Sequence, residues 1–419
     1  RLPERLRPLA ESVGDLALGI SDSAAEFVVR FGQTTGPVLA KGVEDTASYR
    51  WPRLVARNEV GGDPDQFAIS VSEFNEFAAR LTTSWPASMT TLSTHDTKRQ
   101  EDVRARLAVL AEMPGDWGRS AADWQHRAEH LVPETADLDP ETAYLMWQTL
   151  VGAWPLTAER LDGYLTKAMR EAKTRTSWLS PDADYEKTVL RVAALALTDD
   201  RLRGSIDEFV ASIAADAAVN SLGAKLVQLT MPGVPDVYQG CELAALSLVD
   251  PDNRRPVDFA RRRELLDALD SAETYLDPGW PEGRPGLAGQ GWMDQAKLLV
   301  TSRALRLRRE HPEWFAGAYA PLAASGEASR HVVAFARFGG SAGGGAVTVA
   351  TRLPRGLRRR GGWADTVLPL PGPGSAPDPA GRGGAGWRNV FTGESFGARP
   401  RLSAVVGRFP VALLVPEER

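Results

Sequence analysis

Apolar and polar positions alternate with the period of an α-helix through much of this chain. Residues 1 to about 31 carry that pattern, ending in Ala25-Glu26-Phe27-Val28-Val29-Arg30-Phe31 before Gly32 and the Gly36-Pro37 break. The apolar run Pro37-Val38-Leu39-Ala40 has the length of a strand. A helix is predicted over 70–84, after the turn-rich Gly61-Gly62-Asp63-Pro64, and a second short strand, Ser88 to Thr94, runs into His95-Asp96. From about 100 to 225 the pattern is almost wholly helical, with breaks at Met113-Pro114-Gly115, around Pro133, near Asp139-Pro140 and at Ser180-Pro181. The helix over Ala217 to Leu229 stops at Met231-Pro232-Gly233, and Val234 to Tyr238 is a third short strand closed by Gly240. Further helices are predicted over about 258–271 and 293–310, separated by the Pro/Gly-rich stretch 278–291.

Past residue 315 the period changes. The stretch from His331 to Phe338 alternates in part, and Ala346 to Ala350, Val367 to Leu370, Val390-Phe391 and Val411 to Val415 are strand-length runs between Gly, Pro and Ser breaks. These predict a small all-β domain over 316–419, β-sandwich-like, with low-complexity loops at 339–345 and 371–386. Strand–helix alternation, a helical insertion over 101–215 and a β tail together predict an α/β chain built as part of a (βα)8 TIM barrel. A complete barrel takes roughly 250 residues. The barrel-like blocks, 1–100 and 216–315, supply three strands, so the expected barrel is partial and its front is absent.

Composition narrows the function classes. Hydrophobic residues make up 43% and charged residues 25%, with a formal net charge of −5, which gives no electrostatic reason to expect a nucleic-acid partner. Cys241 is the single cysteine, so neither an intramolecular disulfide nor a cysteine-rich metal site is expected, and a cytoplasmic setting is. No apolar run approaches the roughly 18 residues of a membrane span, so no membrane partner is expected either. The opening Arg1-Leu2-Pro3-Glu4-Arg5 is neither a signal peptide nor an initiating methionine, and reads as the start of a fragment. His126 and His130 sit four apart on a helix without the His-Glu-x-x-His order and read as surface, while His311 and His331 group with no ligand set. No metal and no cofactor is expected.

The segment richest in chemistry is Thr91-Leu92-Ser93-Thr94-His95-Asp96-Thr97-Lys98-Arg99-Gln100-Glu101-Asp102-Val103-Arg104. A strand delivers a His-Asp pair at its C-terminal end, where barrel enzymes place catalytic groups. The plainer alternative is that Asp96 N-caps the next helix and Lys98 and Arg99 are solvated charge. A second string, Thr35 to Arg50, clusters Lys41, Glu44, Asp45 and Tyr49 at the mouth of the first predicted strand. They either bind a ligand or hold the loop through ion pairs. A third runs from Pro232 to Glu242 through Tyr238, followed by Asp250-Pro251-Asp252-Asn253-Arg254-Arg255-Pro256, whose charges reach a site rim or brace the loop. Trp51, Trp85, Trp147, Trp178 and Trp314 are each core residues or stacking platforms.

Taken whole, the three strings resemble the maltooligosyl trehalose synthases of the α-amylase superfamily, from about residue 20 to the C-terminus. The string around His95-Asp96 resembles the superfamily's fourth signature region, and Gly233 to Glu242 its last-strand signature. The resemblance implies barrel strands six and seven within 1–100 and strand eight within 216–315. It implies that Asp96 is the third catalytic carboxylate, with His95, Lys41, Glu44, Asp45, Tyr49, Lys98, Arg99, Trp178 and Tyr238 as substrate-binding residues. It also implies a maltooligosaccharide substrate, whose reducing-end α-1,4 bond is converted to α,α-1,1 by intramolecular transglycosylation. The superfamily's Gly-x-Arg-x-Asp segment with the nucleophile, and the separate acid/base Glu segment, have no match in this chain. A partner carrying the N-terminal half of the barrel is therefore expected, and the chain alone is expected to be inactive. The alternatives are another α-amylase-superfamily hydrolase or glucanotransferase, or a non-catalytic maltooligosaccharide-binding fragment.

Overall fold

A computed structural model describes residues 3–20, 25–63, 65–271, 290–339, 344–372 and 386–417. The chain begins with helices α1 (Arg7–Ala17) and α2 (Ala25–Leu39), then a π-helical stretch over Ala40–Ala47 and the single turn α3 (Ser48–Arg50). The strand expected at 37–40 is therefore helical. A strand must find hydrogen-bonding neighbours, and among the described residues none lies beside this segment, whereas a helix pairs its own backbone groups. Neither α1 nor α2 buries a residue, and Leu9, Leu18, Val38 and Leu39 are all more than 60% exposed.

Helix α4 (Val71–Ser84) starts at a capping box. Ser70 Oγ accepts the Glu73 N–H at 3.1 Å, and the Glu73 carboxylate accepts the Ser70 N–H at 2.6 Å. Strand β1 (Met89–Thr91) follows. Its partner is β2 (Val234–Asp236), parallel and in register Met89↔Val234, Thr90↔Pro235, Thr91↔Asp236. These are two of the three predicted strands, set side by side.

Parallel neighbours need a long connection, and here it is the helical block. Helices α5 (Glu101–Ala108), α6 (Pro114–Leu131), α7 (Pro140–Ala153), α8 (Ala158–Ala172), α9 (Ala183–Thr198) and α10 (Asp200–Thr230) enclose their own core. At its centre Trp124 contacts Trp117 and Trp147 at 5.9 Å between ring centroids and Phe209 at 5.5 Å. Trp147 is 2% exposed, so it belongs to this core and offers no platform to a sugar. The apolar window of α10 has the length and hydropathy of a membrane span, yet 61% of it is buried inside the fold, as in a core helix.

After β2 come α11 (Phe259–Ser271), α12 (Gln290–Glu310) and α13 (Pro312–Ala316). The β tail comprises β3 (Ala318–Pro321), β4 (Val332–Gly339), β5 (Gly344–Thr351), the turn of helix α14 (Pro354–Arg359), β6 (Trp387–Asn389), β7 (Ser395–Phe396), the short α15 (Leu402–Val405) and β8 (Val411–Pro416). Its described strands form one antiparallel sheet in the order β3-β4-β5-β8-β6-β7, where two facing sheets were expected. Residues Ala346, Ala350, Val411 and Leu413 pack on Leu222 and Leu226 of α10 and Leu299 of α12. The alternate residues Val347, Val349, Ala412 and Leu414 pack on Leu357 of α14 and Leu402 and Val405 of α15. The run 367–370 is no strand: Val367 makes isolated bridges to Ser325 and Arg401, the Leu368 and Leu370 N–H groups donate to Pro400 O and Ala398 O, and both leucines are buried with the sheet residues Val347, Val349 and Leu414. The stretches 278–289 and 373–385 and residues 340–343, read above as turns and loops, lie outside the described residues.

Candidate active site

Beyond β1 the chain makes a closely tied loop, Thr94 to Gln100, before α5 begins. Thr94 Oγ1 accepts the N–H groups of Asp96 and Thr97, both at 3.1 Å. The Glu59 carboxylate accepts the next two, from Lys98 at 2.6 Å and Arg99 at 3.1 Å. The Gln100 N–H donates to Ser247 O at 3.0 Å and the Glu101 N–H to Ser93 Oγ at 3.0 Å. Six consecutive amides are thus satisfied. From the other side Asn253 Nδ2 donates to His95 O at 2.9 Å, and Gln100 Nε2 to Thr94 O at 3.0 Å. What this loop presents to solvent is the pair of side chains His95 and Asp96, the latter 52% exposed. The N-cap of α5 is Gln100, so Asp96 does not cap the helix.

Lys98 lies beneath Asp96. Its side chain is 1% exposed, with Nζ 2.7 Å from Asp45 Oδ1 and 3.4 Å from Asp96 Oδ1. Lys41, 72% exposed, pairs with the other oxygen of Asp45. Burial works to raise the Asp45 carboxyl, but hydrogen bonds from Lys41 and Lys98 outweigh it and leave it below its ordinary value. Burial likewise disfavours the Lys98 cation, and Asp45 and Asp96 more than restore it. The π-helical turn delivers this pair: it places Lys41 and Asp45 on one face, with Glu44 alongside accepting the Gly61 N–H at 3.2 Å. The cluster therefore sits at the end of a helical segment and not at the mouth of a strand.

A second charge cluster lies under the first turn of α5. Glu101 Oε1 is 2.7 Å from Lys225 Nζ of α10 and 2.8 Å from Lys297 Nζ of α12, and Lys297 also meets Asp102 at 2.5 Å. Asp102 in turn accepts the Ala245 N–H at 2.6 Å, tying the loop after β2 to the helix that follows β1. Burial alone would push Glu101 up; the Lys297 and Lys225 ammonium groups dominate and bring it down to about 2.

No family model matches the chain. A curated protein of Mycobacterium tuberculosis (strain H37Rv), assigned as a maltooligosyl trehalose synthase, is 40% identical over 428 residues, covering 99% of this chain and 49% of that protein. The structure of maltooligosyltrehalose synthase from Arthrobacter ramosus matches with a TM-score of 0.83 and 40% identity, over 99% of this chain and 49% of that one. The chain is a relative of the maltooligosyl trehalose synthases. A hypothetical maltooligosyl trehalose synthase of Sulfolobus tokodaii gives a TM-score of 0.70 at 27% identity, over 90% of this chain and 45% of that one. The chain spans about half the length of the curated relatives it matches.

Set against the resemblance to maltooligosyl trehalose synthases, the predicted site residues divide. Asp96, Asp45, Lys41 and Lys98 come together, with His95 beside Asp96. Arg99 does not face outward: at 1% exposure its guanidinium donates to Val55 O at 3.2 Å and Tyr164 Oη at 2.8 Å, which makes it part of the scaffold. Lys98 too is an internal cation, and neither is the solvated charge of the plainer reading. Tyr49 is 4% exposed, and burial pushes its phenol well above its ordinary value. Trp178 is 53% exposed, with Arg170 over its ring at 4.9 Å and its Nε1 donating to Glu171 at 3.0 Å. Tyr238 stands past the end of β2, donating to Asn253 O at 3.3 Å on the wall of a polar cleft of about 280 Å³ lined also by Gln239, Arg255, Asp258 and Arg262. The residues that sequence reasoning missed as structural partners of the loop are Glu59, Ser93 and Glu101. Ser93 and Glu101 lie inside the string around His95-Asp96 and Glu59 lies past the end of the Thr35–Arg50 string, and nothing in the sequence told which backbone group each would meet.

Proposed function

We propose that this chain supplies one wall of the active site of a maltooligosyl trehalose synthase. The observation that carries the reading is Asp96: an exposed carboxylate beyond the C-terminal end of β1, beside His95 and backed by the buried Lys98. Parallel β1 and β2, each followed by a loop that meets the other's, support placing this face at the open end of a barrel. In the reaction proposed, Asp96 accepts hydrogen bonds from glucose hydroxyls and its negative charge favours an oxocarbenium-like transition state. An Asp nucleophile and an acid/base Glu, from polypeptide outside these 419 residues, complete the site. The Glu protonates the leaving oxygen of the reducing-end glucose while the Asp takes the glycosyl group. The same glucose then turns and attacks with its anomeric hydroxyl, whose proton the Glu takes back as the glycosyl–Asp bond breaks, giving the α,α-1,1 bond. Water must be kept out, because hydrolysis competes.

Support for such a partner comes from surface composition. Val38, Leu39, Phe67, Trp85 and Met89 are all more than 60% exposed, on and around the elements that lead into β1. Among the described residues β1 and β2 pair only with each other, leaving their outer edges open to further strands. The buried single thiol, Cys241, fits a cytoplasmic setting.

Incubation of maltopentaose with the chain, alone and with polypeptide supplying the two other carboxylates, tests the proposal. The expected result is a non-reducing α,α-1,1-linked pentasaccharide, formed only in the second case. Free glucose as the main product in both would favour a hydrolase, and turnover by the 419-residue chain alone would overturn the divided site.

A further inference from the structure

We infer that Glu59 is a positioning residue for Asp96, acting through the backbone of the loop that carries it. The inference rests on the reading of Asp96 as the carboxylate that grips substrate. Glu59 Oε1 accepts from the N–H groups of Lys98 at 2.6 Å and Val60 at 2.9 Å. Its Oε2 accepts from the Arg99 N–H at 3.1 Å and lies 3.0 Å from Arg104 Nη1. Four donors converge on one carboxylate, so both oxygens are occupied and the side chain, 13% exposed, has no free acceptor for a sugar. It holds; it does not react.

The residues around Glu59 are themselves fixed. Asn58 Nδ2 donates to Ser48 O at 2.8 Å and Trp51 O at 2.7 Å, anchoring the preceding residue to α3, the turn that directly follows the stretch carrying Asp45. On the other side the Gly62 N–H returns to Glu59 O at 2.8 Å, and a Cβ at Gly62 would stand 2.9 Å from that oxygen. Through the Gly61 N–H, which Glu44 accepts at 3.2 Å, the Asn58-to-Gly62 turn links the segment that carries Asp45 to the amides two and three residues beyond Asp96. A carboxylate is the group that suits this place. A glutamine has one acceptor oxygen, and its amide nitrogen would face the N–H donors that Oε1 or Oε2 now receives. Release of Lys98 and Arg99 frees the main chain between the Thr94 turn and α5, and the direction of the Asp96 carboxylate with it.

The test uses the intact chain, hydrogen exchange, and calorimetric titration with maltopentaose. In the unaltered chain the Lys98 and Arg99 amides are expected to be protected, and Glu59→Gln to speed their exchange by about tenfold or more, as loss of a charge-assisted bond implies. Amides of α10 should not change. Glu59→Gln should weaken maltopentaose binding, and the double variant Glu59→Gln/Asp96→Asn should bind no more weakly than Asp96→Asn alone, because Glu59 acts through Asp96. Additive losses would assign Glu59 a role independent of Asp96 and overturn the inference. So would Lys98 and Arg99 amides that exchange like open loop in the unaltered chain, a result that needs no variant to fold. If instead Asp96→Asn binds as tightly as the unaltered chain, the functional reading of Asp96 falls, while the exchange rates still decide whether Glu59 holds the loop.

Discussion

Lys297 Nζ lies 2.5 Å from Asp102 Oδ2, with the lysine side chain 0% and the aspartate 5% exposed. Glu101 and Lys225 complete a quartet of alternating charge that joins α5, α10 and α12. Such a group gains little over a well-packed apolar alternative, but removing one member strands its partners in a dry interior. We predict that Lys297→Met destabilises the fold by about 3–5 kcal/mol. Urea unfolding checks this, and a midpoint within error of the unaltered chain would refute it. Because Asp102 also holds the Ala245 amide, the variant should loosen the loop after β2 before it affects α6 or α7.

The same quartet sets a pH dependence. Glu101 is held at about 2, below its ordinary 4.5, chiefly because Lys297 and Lys225 outweigh the burial that pushes it up. A folded-state value below the unfolded one means stabilisation that is present above pH 4.5 and lost as pH falls toward 2. Glu112 and Asp294 are raised by burial and act in the opposite sense, gaining on protonation. Urea midpoints should therefore fall below pH 4.5, and the fall should be shallower in Glu101→Gln, which lacks the titrating group. Equal slopes in the two proteins would assign acid sensitivity elsewhere.

Periodic segments with strong caps and breaks were legible in the sequence. The box Ser70-x-x-Glu73 begins α4 where the 70–84 pattern starts, and Met231-Pro232-Gly233 closes α10 as expected, whereas α2 runs through the expected Gly36-Pro37 break. The strands at Met89–Thr91 and Val234–Asp236 were legible too, although 142 mostly helical residues separate Thr91 from Val234. The run Pro37-Val38-Leu39-Ala40 was misread because four apolar residues fit a strand or a helix, and pairing decides between them. The plainer alternative, Lys98 and Arg99 as solvated charge, fails because type alone predicts exposure for cations and both are buried. Only the fold shows that Asp45, Val55 and Tyr164 surround them. Asp96 is singled out by its string, yet Glu59, which lies 37 positions before it and accepts the Lys98 and Arg99 N–H groups, carries no local signal.

Asp96 offers a clean separation of function from stability. Its side chain is 52% exposed and Lys98 keeps Asp45 at 2.7 Å without it. Asp96→Asn should therefore change unfolding free energy by less than about 0.5 kcal/mol, as exposed substitutions usually do. In the assembled enzyme it should abolish formation of the α,α-1,1 product by a factor of about a hundred or more, since it removes a charge aimed at the transition state. Turnover within threefold of the unaltered protein, measured by chromatography of the products, would remove Asp96 from the mechanism.

Gly233 decides whether β1 and β2 can lie together. Its φ is +114°, a conformation that side-chain-bearing residues rarely adopt, and a Cβ there would stand 2.6 Å from Ser88 O and 2.8 Å from Thr90 Cγ2. The Val234 N–H donates to that same Ser88 oxygen at 2.8 Å, and Arg308 Nη2 donates to Gly233 O at 2.8 Å, so neither strand is free to retreat. Gly233→Ala should cost about 2 kcal/mol or more, from backbone strain together with the displaced strand pair. Gly14 provides the contrast, because it lies within α1 with nothing within 4 Å of an added Cβ. Gly14→Ala should be neutral or stabilising by up to about 1 kcal/mol. Thermal unfolding of the two variants side by side checks the pair: equal melting temperatures would mean that the close approach at Gly233 relaxes without cost, and that the β1–β2 register does not depend on glycine there.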